Sequence, residues 1–140
     1  MTDDLVQFLR ARLDEDETTA RESGGRWMVL PVTGWVHTAP WPSDEWKPPG
    51  VDHHVATVPL DGDRAHIVRH DPARVLAEVD AKRRMIDNFE MAIHAAETPP
   101  RPHVDMLVVF ETSAASWRTA LRLLALSYSD HPGYREEWRL

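Results

Sequence analysis

The chain has 140 residues, 42% hydrophobic and 28% charged, with a net charge of −7 and no cysteine. That length suits a single domain, 1–140, with one modest core. The missing sulfur excludes disulfides, cysteine-ligated zinc and a thiol nucleophile. No apolar run reaches the roughly 18 residues of a membrane span, and the first twenty residues are polar, so a cytoplasmic protein without a membrane segment or signal peptide is expected.

Leu5, Phe8, Leu9 and Leu13 recur at three- and four-residue spacing and predict a helix over 3–22. Ser23-Gly24-Gly25 ends it. Trp27, Val29, Val32, Trp35 and Val36 predict a hairpin over 26–38 that turns at Gly34, with Trp27 and Trp35 facing the core. A Trp/Pro-rich loop follows at 39–50, and Val55, Thr57 and Val58 read as a returning strand. Asp61-Gly62-Asp63 is a turn signal leading into a short helix, 63–70. Asp71 caps a long helix over 72–96, with Pro72 at its first position, where no intrahelical donor is needed. Val75, Val79, Ile86, Phe89 and Ile93 form its apolar stripe. A Pro-rich break at 98–102 precedes a helix from about 104 to 127, although Val104 to Phe110 also fits a buried strand. Tyr128, His131, Tyr134 and Trp138 are three or four apart, which suits a short terminal helix docked on the core. The expected class is α+β, mainly helical: about three main helices with a small antiparallel β-hairpin or short sheet.

Charge is segregated. Residues 1–22 hold three basic and seven acidic side chains, whereas 64–84 hold six basic and three acidic. Lys82, Arg83 and Arg84 form a run that suits phosphate contact, but an acidic chain disfavours broad nucleic-acid binding. The acidic Asp14 to Glu17 segment is the expected partner of that run, within the fold or across a dimer.

Three blocks of sequence stand together: Asp4-Leu5-Val6-Gln7-Phe8-Leu9-Arg10-Ala11-Arg12-Leu13-Asp14-Glu15-Asp16-Glu17, the block AHIVRHDPARVLAEVDAKRR from Ala65 to Arg84, and Leu121 to Leu126 followed by the tail HPGYREEW from His131 to Trp138. This combination resembles a family of short actinobacterial and actinophage proteins known only as a domain of unknown function. The resemblance implies a grouping and no mechanism.

Two constellations carry chemical meaning. His66 and His70, four apart on a helix, project from one face and suit two ligands of one metal, with His131 as a third. No cofactor is predicted, but zinc fits such a set, as does metal-dependent hydrolysis. The His-Glu-x-x-His pattern is absent, because Ile67 stands where the general base would sit. Trp41 and Trp46 lie in the Pro-rich loop and are candidates for a partner surface, since tryptophan is enriched at interaction hot spots. There is no nucleophile elbow, phosphate-cradling loop or dinucleotide fingerprint. The expectation is therefore an accessory protein that binds a protein partner or a second copy of itself, rather than an enzyme.

Overall fold

A computed structural model describes residues 2–31, 33–39, 54–97 and 104–140. In chain order these form α1 (Thr2–Glu22), β1 (Arg26–Val29), β2 (Val36–Ala39), β3 (His54–Ala56), α2 (Asp61–Arg69), α3 (Pro72–Glu97) and α4 (Val104–Ala125). Two 3-10 turns, Leu126–Tyr128 and Glu136–Trp138, complete the tail. The architecture is mainly helical α+β with one small antiparallel sheet, as expected. Residues from Val104 are helical, not strand. Among the described residues, no helix is long and apolar enough to cross a membrane.

The chain clusters into two compact units, Met1–Glu15 with Val79–Leu140, and Asp16–Glu78. In the first, the apolar stripes supply the core: Leu5, Leu9 and Leu13 of α1, Val79, Ile86 and Phe89 of α3, and Ala114, Leu121 and Ala125 of α4 are buried. An amphipathic helix is stable only when such a face is covered. The tail docks by its aromatic rings. The Phe8 ring lies 4.9 Å from Trp138, 5.7 Å from His131 and 6.3 Å from both Tyr128 and Tyr134, centroid to centroid. The expected terminal helix is shorter, a single 3-10 turn over Glu136–Trp138, because Arg135 before it is extended, with φ −109° and ψ 130°. Arg122 secures the turn by donating to the backbone carbonyls of Trp138 at 2.9 Å and Glu137 at 3.3 Å, and to that of Arg139.

In the second unit the strand order is β1-β2-β3. Trp27 pairs with Thr38 and Val29 with Val36 across the first ladder. Gly34 N–H donates to Leu30 O at 2.8 Å and closes the turn. Its φ of +68° suits glycine, and a Cβ there would lie 2.7 Å from the Arg64 guanidinium. Asp71 performs the predicted cap, accepting from Arg74 N–H at 2.8 Å, and also accepts from Trp27 N–H at 3.3 Å. One carboxylate thus starts α3 and pins β1. Asp61-Gly62-Asp63, read as a turn, is instead the first turn of α2. Trp35 does not face the core: it is 43% exposed, stacking beside His37.

Candidate interaction surface

A helix advances about 100° per residue, so α4 has an inner and an outer side. Ala114, Leu121 and Ala125 lie on the inner side and are buried. Val108, Val109 and Leu123 lie on the outer side and are 57%, 64% and 54% exposed. Thr112, Ala115, Ser116 and Thr119 fill the outer face between them, and all are exposed. These seven residues span about 120° of the helix circumference. None is charged. The charged residues of α4 after Asp105 are Glu111, Arg118 and Arg122, which share one flank.

The hydroxyls on this face are turned inward. Thr112 Oγ1 donates to Val108 O at 2.7 Å, Ser116 Oγ to Thr112 O at 2.9 Å and Thr119 Oγ1 to Ala115 O at 3.2 Å. Each hydroxyl hydrogen is satisfied within its own helix. The face therefore offers methyl and methylene groups to whatever lies beyond it, where a solvated helix ordinarily carries charge.

The chain matches the family of unknown function DUF6221 over residues 2–140. It belongs to that family. No curated protein and no solved structure matches it significantly. The three blocks of sequence set out above all fall inside the matched range.

The structure distributes the sequence-derived candidates over several places. His66 and His70 do share one side of α2, with ring centroids 4.5 Å apart, and both are exposed. Among the described residues, no group of three or more His, Cys, Asp or Glu side chains is arranged to hold a metal ion. Both ring nitrogens of His131 are engaged: Nδ1 accepts from Gly133 N–H at 2.9 Å, and Nε2 meets the Arg12 guanidinium. A metal at His131 would have to displace one of these contacts. Trp41 and Trp46 lie outside the described residues.

The basic run is engaged within its own unit. Arg83 pairs with Asp14 at 2.5 Å, Arg84 with Asp80 at 2.8 Å, and Lys82 lies 5.9 Å from the Tyr128 ring centre. The Arg83–Asp14 bridge is the expected pairing of acidic first helix with basic run, made within one chain. Phosphate would compete with these contacts.

Two concave regions complete the picture. In the first unit a groove of about 370 Å³ has a floor of Val6, Phe89 and Ile93 and a rim of mixed charge, including Asp3, Arg10, Glu90 and Glu97. Arg10 is already bonded there to Glu90 at 2.9 Å and Asp87 at 3.3 Å. In the second unit Arg26, Arg69 and Arg74 border a cleft of about 450 Å³, where Arg74 is bonded to Glu78 at 2.8 Å. In these rims Arg10 is answered by Glu90 and Asp87 and Arg74 by Glu78, whereas the exposed outer face of α4 is apolar. Sequence periodicity predicts a helix here without separating its two sides. From Val108 onward, the signal for the outer face was the absence of charge at the positions opposite Ala114, Leu121 and Ala125.

Proposed function

We propose that this protein is a small accessory protein acting by protein–protein association, and that the outer face of α4 is the surface it uses. The observation that supports this reading is the exposure of Val108, Val109 and Leu123 on a face whose hydroxyls are all internally bonded. Burying such a face removes apolar area from water at about 25 cal/mol per Å² and leaves no polar group without a partner. Nothing comparable favours metal-dependent hydrolysis or nucleic-acid contact.

The test is a doubly charged variant, Val109→Glu with Leu123→Glu. Both positions are exposed in the isolated chain, so the fold tolerates the change. Light scattering after size exclusion measures self-association. Immobilised wild-type and variant chains are compared for the proteins they retain from a cell extract. The expected result is loss of association in the variant with an unchanged thermal midpoint. Retention of every association by a folded variant refutes the assignment of this face.

A further inference from the structure

The outer face of α4 is nearly palindromic, and this names its occupant. Residues that pair across an antiparallel two-fold have position numbers with a constant sum. With the axis between Ala115 and Ser116, Val108 of one copy lies opposite Leu123 of the other. Thr112 lies opposite Thr119, and Ala115 opposite Ser116. Large side chains meet at both ends and small ones at the centre, where two helices can approach to about 8 Å.

The charged flank points the same way. A two-fold perpendicular to an antiparallel helix pair brings the same flank of both copies to the same side. Position 111 then lies level with position 120 of the other copy, so Glu111 comes alongside the partner's Arg118. In this structure neither Glu111 nor Arg118 makes an ion pair with a described residue. A parallel pair would instead set this flank against the uncharged side holding Val109, Ser113 and Ala120. The overall charge of −7 opposes association in general, yet Glu111, the acidic residue of the charged flank, has an arginine to meet.

We infer that the partner of this face is a second copy of the chain, joined α4 to α4 in antiparallel fashion with two symmetric Glu111–Arg118 pairs. The inference rests on the association reading given above. One helix pair buries less than the roughly 1,600 Å² of a standard interface, so the dimer is of micromolar strength and concentration-dependent.

Sedimentation velocity from about 1 to 500 μM tests it, because this range brackets such an affinity. Glu111→Arg alone and Arg118→Glu alone each weaken dimerisation about tenfold, since each change acts twice across the two-fold, and the double reversal returns it to within about threefold of wild type. Because the chain has no cysteine, Ser116→Cys introduces a lone thiol beside the axis. Mild oxidation couples two such chains, whereas Met91→Cys, exposed on α3, couples far less. A wild-type monomer throughout the range overturns the inference, as does additive weakening in the double reversal or equal coupling by both cysteine variants. If the wild type stays monomeric while Val109→Glu with Leu123→Glu loses a different protein, the association reading stands and only self-pairing fails. If neither is lost, both fail.

Discussion

Replacing Phe8 with alanine tests whether the C-terminal tail is held by one ring. Phe8 is 9% exposed, and four tail rings lie within 6.3 Å of it. Truncating a buried phenylalanine costs about 3–5 kcal/mol, from lost transfer energy together with the cavity left behind. The upper part of that range applies here, because edge-on aromatic pairs add about 0.5–1.5 kcal/mol beyond burial. Phe8→Leu separates the two contributions. It keeps most of the volume and loses the ring geometry, so it should cost about 1–1.5 kcal/mol. Urea unfolding followed by circular dichroism at 222 nm gives both values, with the slope checked for constancy. Limited trypsin digestion adds a local readout, since Arg135 and Arg139 offer cleavage sites within the tail. Phe8→Ala should be clipped there far faster than wild type. A loss below about 1.5 kcal/mol for Phe8→Ala, with unchanged clipping, would refute the view that this ring organises the tail.

Two further predictions concern the second unit. Asp71→Ala should lower stability by about 2 kcal/mol in the same urea assay, because it removes a helix cap and also strips the Trp27 N–H of its acceptor. Asp71→Asn should recover more than half of that loss, as asparagine also caps. For the histidines, equimolar zinc added to protein made without a His tag should leave the thermal midpoint within about 1 °C, since two imidazoles alone make an incomplete site. A larger shift that disappears in His70→Ala would assign a metal to α2 instead.

Much of the fold was legible because local rules and tertiary packing agree. Asp71-Pro72 reads as the start of a helix for reasons internal to two residues, and the structure keeps it there. The stripe Leu5, Phe8, Leu9 and Leu13 announces a buried face, and all four residues are buried. Tail docking was also readable from ring spacing, and the short helix expected at its end is a single 3-10 turn that still delivers Trp138 to Phe8. Trp35 shows the opposite case. Its size argues for the interior, but it precedes β2 and rests against His37 and His54 at the surface of the sheet. Asp61-Gly62-Asp63 has turn composition, yet Arg64 bonds Asp61 at 2.6 Å and the carbonyl oxygens of Val58 and Pro59, which favours helical continuation. The outer face of α4 was the least visible. Composition alone cannot tell whether a threonine hydroxyl faces water or its own helix.

The grip of Arg122 on three successive carbonyls has a consequence for how the chain opens. Those acceptors belong to the tail, but the arginine belongs to α4, so the final turn cannot detach while the last turns of that helix stay rigid and its side chain stays in place. Amide hydrogens of Trp138 and Arg139, which donate to Arg135 O and Glu136 O, should then exchange in step with those at the end of α4. Helix and tail form one cooperative opening unit. Any protein that settles on α4 would slow exchange in a tail it never touches, and that remote protection would serve as a reporter of occupancy.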